Sequence, residues 1–207
     1  MQSHRRSACS KAEAVARAER VPIHGAGIND QARVGRAKRK RLARGCGHAR
    51  DAGQGGADHL IAGNECRDDL CAIKCVETVG ARIERNRYET RWFGIHLLET
   101  RASTLSRNRA YRTMRAVTIE GGLGNRVEKQ LAEHCDSGVV AEGAAAETVV
   151  VDSWFHDCRI GMYVWGAGDI TFRENAISEP REHAVVTDRV LDLEGNDLGG
   201  DTWLRPT

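Results

Sequence analysis

The chain has 207 residues, of which 41% are apolar and 29% charged, with 22 glycines, three prolines and a formal net charge of +2. A mean hydropathy of −0.49, with no run near the roughly 20 apolar residues of a membrane-spanning helix, predicts no helical membrane span. Abundant glycine with scarce proline excludes a collagen-like or proline-rich disordered chain and suits a fold with many tight turns.

The charge is unevenly placed. Residues 1–57 hold 13 Lys and Arg against 4 Asp and Glu, whereas residues 58–207 hold 18 against 25. The first part contains a helix-compatible run, Lys11–Arg20, a basic cluster at Lys38–Arg41 and a Gly-rich stretch from Gly45 to Gly56. With few large apolar residues it buries little by itself. Three readings of it stay open: a flexible basic arm, an irregular cap over the first edge of the body, or sequence upstream of the genuine start. No aromatic platform or recognition helix accompanies the basic cluster, which argues against nucleic acid as the partner. Arg5-Arg6 is followed by no apolar core of the sort an export signal carries.

From residue 58 to residue 199 the sequence repeats with a period near 22. Asn64, Asn86 and Asn108 stand 22 apart, Gln130 and Ser153 continue the column, and Asn175 and Asn196 return to it. Three positions before each stands an apolar residue: Ile61, Ile83, Leu105, Val127, Val150, Phe172 and Leu193. Two positions after come Cys66, Tyr88, Ala110, Ala132, Phe155, Ile177 and Leu198. A further column pairs a small residue with an aliphatic one, as in Ala72-Ile73, Gly94-Ile95, Ala116-Val117, Gly138-Val139, Gly161-Met162 and Ala184-Val185. Two residues on, the inward position repeats as Cys75, Leu97, Ile119, Ala141, Val164 and Thr187, so each segment alternates like a strand.

Short strands with no helix between them bury their apolar side only by stacking successive turns about 4.8 Å apart. The pattern therefore predicts an all-β fold, a right-handed single-stranded parallel β-helix of six to seven coils over 58–199, with residues 200–207 as a tail. The Asn column is expected to form an inward amide ladder. The small residue is expected where the chain bends tightly before re-entering the sheet.

The pattern Ile-x-x-Asn-x-Φ followed by Gly-Ile, as in Arg82–Tyr88 leading to Phe93-Gly-Ile-His96, resembles the right-handed parallel β-helix repeat proteins. These include mannuronan C-5 epimerases, polysaccharide lyases of the pectin lyase-like fold, and NosD-type accessory proteins. Val150–Asp157, Gly161-Met-Tyr163 and Asp169–Asn175 are similar to a segment of the alginate epimerases. Where those enzymes carry an Asp-Pro-His-Asp motif one coil later, this chain reads Ala184-Val-Val-Thr-Asp188. The resemblance implies a carbohydrate-active protein of secreted or periplasmic type, one that binds an acidic polysaccharide and, in the epimerase or lyase case, also modifies it. The alternative is a non-catalytic scaffold or accessory protein.

Inward positions are core, so chemistry is expected on outward columns. One reads Lys74, His96, Thr118, Val140, Tyr163, Val186, and the next reads Val76, Leu98, Glu120, Glu142, Trp165, Asp188. Glu120 and Glu142 then neighbour each other, as a catalytic carboxylate pair, as a pair bridged by a cation such as Ca²⁺, or as a solvated pair. His96 and Tyr163 are candidate base and acid, although three coil steps, nearly 15 Å, separate them. Residues 81–115 hold nine Arg against three Glu. The register stacks Arg85 over Arg107 over Lys129, and Arg87 over Arg109, as a binding surface for an acidic polysaccharide or as side chains paired with Glu84, Glu89 and Glu128. Trp154 and Trp165 are candidate sugar platforms with an indole N–H free to bond, or else pack against loops.

Of seven cysteines, Cys135 and Cys158 share one place in consecutive coils, as a disulfide or as stacked thiols. Cys71-x-x-x-Cys75 lacks a zinc pattern, and no structural metal or other cofactor is predicted.

Overall fold

The computed structural model describes residues 53–205. The readings placed on residues 1–52, the basic cluster and the Gly-rich stretch before Gly53 among them, lie outside the described residues.

Nineteen short strands and no helix make up the described residues, wound as a parallel solenoid of about six coils with three faces. The first face stacks β2 (Leu60–Ala62), β4 (Arg82–Glu84), β6 (Thr104–Ser106), β9 (Arg126–Glu128), β12 (Thr148–Val151) and β15 (Ile170–Arg173). The second stacks β7 (Arg109–Tyr111), β10 (Leu131–Glu133), β13 (Trp154–His156), β16 (Ala176–Ser178) and β18 (Asp197–Leu198). The third stacks β8 (Arg115–Glu120), β11 (Ser137–Glu142), β14 (Ile160–Trp165), β17 (His183–Thr187) and β19 (Thr202–Leu204). Two longer strands, β3 (Glu65–Val76) and β5 (Arg87–Leu98), run through the second and third faces, and β1 (Gly53–Gln54) pairs with β3. The sheets thus continue past residue 58 at one end and residue 199 at the other, since β1 and β19 both join them.

Register follows the repeat column by column. Ile61, Ile83, Leu105 and Val127 are consecutive Cα partners, as are Ile73, Ile95, Val117, Val139, Met162 and Val185. All of these are buried, so one apolar core runs the length of the coil. Each coil is half of its neighbour's core, which is why none is stable alone.

The amide ladder forms where asparagines follow one another. The Asn64 and Asn86 side-chain amides donate to the Oδ1 of Asn86 and Asn108, each at 2.9 Å, and the backbone N–H groups of Asn64 and Asn86 donate to the same oxygens. Farther along, the Ser153 N–H donates to Asn175 Oδ1, and Asn175 donates to Asn196 Oδ1. Gln130 interrupts the row: its longer side chain turns to the Tyr88 hydroxyl at 2.9 Å, and its Oε1 is left without a partner among the described residues. A second, shorter ladder that the repeat does not announce caps another corner, with the Ala81 N–H on Ser103 Oγ and the Ser103 N–H on Asn125 Oδ1.

The small residue before the aliphatic one does not mark a tight bend. Gly94, Gly138 and Gly161 all lack positive φ, and a Cβ added at Gly94 would lie 2.0 Å from the Tyr88 ring and 2.5 Å from the Ala116 carbonyl. The position is small because bulky core side chains (Tyr88, Phe155, Ile177) press against its backbone. The bends instead fall on left-handed residues at the corners, most of them not glycine. One such row is Arg85, Arg107, Lys129, Asp152 and Glu174, with φ between 50° and 54°. Left-handed backbone strains an L-residue. It is held in the first three by a backbone N–H bond to the adjacent coil, from Arg85 to Ser106 O at 3.0 Å, Arg107 to Glu128 O at 3.2 Å and Lys129 to Val151 O at 3.3 Å.

Replacing Asn108 by Ala strands the buried Asn86 N–H and the Ile83 carbonyl, which the Asn108 amide serves at 2.9 Å. A cost of about 2–4 kcal/mol is expected in urea unfolding. Gln130→Ala, whose Oε1 is already unpartnered, is expected to cost less.

Candidate functional site

The left-handed corner between the first and second faces turns the residue before each Asn outward, and the residue after the Asn opens the second face pointing outward as well. Arg85 and Arg87 therefore flank the inward Asn86, and Arg107 and Arg109 flank the inward Asn108. Arg87 and Arg109 are register partners, and Arg109 is in turn the partner of Leu131. Arg85, Arg87, Arg107, Arg109 and Lys129 line one surface concavity of about 420 Å³, completed by Asn108 and Leu131.

Its charge is largely uncompensated. Of the glutamates that offer alternative partners, Glu84 is engaged by Arg82 and Glu128 by Arg126 at 2.7 Å, while Glu89 has no ion pair among the described residues. The Arg126 hydrogen bond holds the Glu128 carboxyl below its ordinary pKa. Arg109 pairs with Glu133 at 2.6 Å, and Lys129 lies 3.6 Å from Asp152. Among the described residues the side chains of Arg85, Arg87 and Arg107 have no hydrogen-bond or ion-pair partner. Cations stacked about 4.8 Å apart repel by about 1 kcal/mol per neighbouring pair even in water.

The four residues predicted for catalysis stand on the third face, away from the arginines. Glu120 and Glu142 are Cα partners in adjacent strands, yet each carboxylate has its own partner. Glu120 Oε2 lies 3.0 Å from His96 Nε2, and Arg115 donates to Glu142 at 2.7 Å. No group of three or more His, Cys, Asp or Glu suited to a metal occurs among the described residues. His96 is buried, not an open base: it stacks on Phe93 with ring centroids 4.7 Å apart, and burial lowers its pKa against the opposing pull of Glu120. His96, Thr118, Val140 and Tyr163 are successive register partners, so three coils separate His96 from Tyr163. The Thr118 hydroxyl between them is buried without a hydrogen-bond partner among the described residues.

The two tryptophans part company. Trp165, on the third face beside Tyr163, has the Arg205 guanidinium over its ring at 4.9 Å, so that face is covered. Trp154 is 42% exposed and stands in the arginine row of the second face. Its indole N–H is not free, because it donates to Ser178 Oγ at 3.0 Å, and the ring stacks on His156.

Two groups of side chains went unnoticed in the sequence. His134 Nδ1 lies 2.6 Å from Asp157, which also meets Arg181 at 3.3 Å, and the His134 contact lowers the Asp157 pKa. The 23-residue spacing of His134 and Asp157 was the available signal. Arg115 with Glu142 had none, since that contact runs diagonally across two coils. Cys135 and Cys158 are buried free thiols, and the hydrogen bond between them, with burial, raises the Cys135 pKa.

A family model described as a right handed beta helix region matches residues 44–177. No curated protein and no solved structure shows significant similarity to the chain.

Because folding holds His96 below the ordinary imidazole pKa, the unfolded chain binds the proton more readily. The stability tied to this residue is whole above about pH 6.5 and is lost as the pH falls below it. Thermal midpoints at pH 5.5 and 7.5 are expected to show the wild-type chain less stable at the lower pH. His96→Gln is expected to shrink that difference.

Proposed function

Because the chain belongs to the right-handed beta helix family, whose coils superimpose equivalent side chains, we propose that it binds an acidic polysaccharide lying along the solenoid axis over Arg85, Arg87, Arg107, Arg109 and Lys129. The observation that carries this reading is the cationic lining of one concavity, in which Arg85, Arg87 and Arg107 have no counterion among the described residues. Residues repeated about every 4.8 Å along the axis suit a polymer whose anionic groups recur once per sugar ring. Guanidinium forks grip carboxylates bidentately. Duplex nucleic acid presents a charge about every 1.7 Å of its axis, far denser than these rows.

The reading is one of binding without chemical modification of the polymer. Epimerase or lyase chemistry needs a positioned general acid and base, and the groove offers by type only Lys129, which is shared with Asp152 at 3.6 Å. His96, Glu120, Glu142 and Tyr163 stand on another face, and the first three are tied up with Phe93, Arg115 and one another. A Ca²⁺ bridge between Glu120 and Glu142 forms no part of this reading.

The chain is expected to bind alginate or pectate with an affinity that falls as salt rises, and to ignore a neutral glucan. Arg85→Gln with Arg107→Gln should weaken binding by about tenfold or more at low salt, through loss of two charge-assisted contacts. The thermal midpoint should stay unchanged or rise. Equal binding to all three polymers overturns the reading. Release of unsaturated uronate, followed by ultraviolet absorbance, or C-5 inversion followed by proton NMR, overturns its non-catalytic part.

A further inference from the structure

The cationic rows stop partway along the solenoid. In the left-handed corner row, Arg85, Arg107 and Lys129 are followed in the next two coils by Asp152 and Glu174. In the parallel row of the second face, Arg87 and Arg109 are followed by Leu131, then Trp154, then Ala176, then Asp197. Asp152, Glu174 and Asp197 are all exposed. Lys129, last of the cations, is already shared with Asp152 at 3.6 Å. The reversal is not confined to these rows. Residues 81–129 hold 11 Lys and Arg against 5 Asp and Glu, whereas residues 147–201 hold 4 Arg against 12 Asp and Glu.

A uniformly charged polymer laid along the axis would be attracted over three coils and then repelled. At the point of reversal stands an exposed indole held in place from behind. Trp154 stacks on His156 with centroids 5.3 Å apart, and Ser178 accepts its N–H. The half-buried Leu131 fills the one step between Arg109 and Trp154, so the indole lies about 10 Å from the Arg109 position along the axis. A face of this kind stacks on the apolar side of a sugar ring whatever its charge, while the neighbouring Asp152 and Glu174 disfavour a carboxylate there.

We infer that the groove reads a boundary in a mixed polysaccharide, an anionic run of about three units followed by an uncharged sugar stacked on Trp154, about 4.8 Å being allowed per coil. The inference rests on the polyanion reading above and narrows it from acidic polysaccharides in general to those that alternate acidic and neutral stretches.

Calorimetry on the full chain tests it, using oligogalacturonates of two to eight units and galacturonate trimers extended by galactose at one end or the other. Affinity is expected to climb up to the trimer and then level off. One of the two extended trimers should bind about fivefold tighter than the plain trimer, a gain of the size an aromatic stack supplies. Trp154→Ala should bring that ratio to one, while Trp92→Ala, an exposed indole outside the two rows, leaves it unchanged. Asp152→Asn with Glu174→Gln should let the octamer outbind the trimer. Affinity that keeps rising with length in the native chain, or a ratio untouched by Trp154→Ala, overturns the boundary while leaving the polyanion reading standing. If no oligogalacturonate binds, the polyanion reading falls and the boundary with it.

Discussion

Parallel in-register stacking about every 22 residues is the constraint on which the rest depends. It makes each coil's backbone donors and acceptors serve the coils on either side, and it puts like residues on like. For apolar residues this builds a core that no single coil has. For asparagine it makes a ladder in which one amide oxygen accepts both a side-chain and a backbone N–H from the neighbouring coil. The interaction is cooperative along the axis, so a misfit such as Gln130 is absorbed by turning aside to Tyr88, while the flanking rungs are kept.

The same rule is unfavourable for charges. A lone arginine on an ordinary surface points away from its neighbours, but a solenoid that repeats Arg85 at Arg107 and Lys129 holds cations side by side. Where the fold neutralises such positions it does so locally, as Arg82 with Glu84 and Arg126 with Glu128 two residues apart, or Arg159 with Asp136 across coils. The groove lacks most of that compensation. A surface left repulsive in the free protein gains more from an anionic ligand than a neutralised one would, and this links the fold's periodicity to the proposed function.

The third face shows the opposite arrangement. There the stacked Glu120 and Glu142 acquire separate partners, His96 and Arg115, His96 is itself covered by Phe93, and Trp165 lies under Arg205. Such a closed set of pairs stabilises the sheet's outer surface. His96, buried and drawn toward its neutral form, gives that surface its dependence on pH.

The sequence by itself determined the winding, the columns and the choice of which residues face in, because a solenoid copies its repeat directly into register: Ile73 under Ile95 and Arg87 under Arg109 follow from counting. It also placed the arginine rows and Trp154 outward. Only the tertiary structure decided what those side chains touch. A period of 22 says that Glu120 neighbours Glu142, but long flexible side chains choose partners diagonally and across coils, as Arg115 does with Glu142 and Trp154 with Ser178. The same holds for Gly94, which is small because of the Tyr88 ring pressed against it and not because the backbone turns there. Backbone register is one variable shared by every coil. Side-chain partnership is settled separately at each position by rotamer, reach and competing charge, and a repeat carries no record of those.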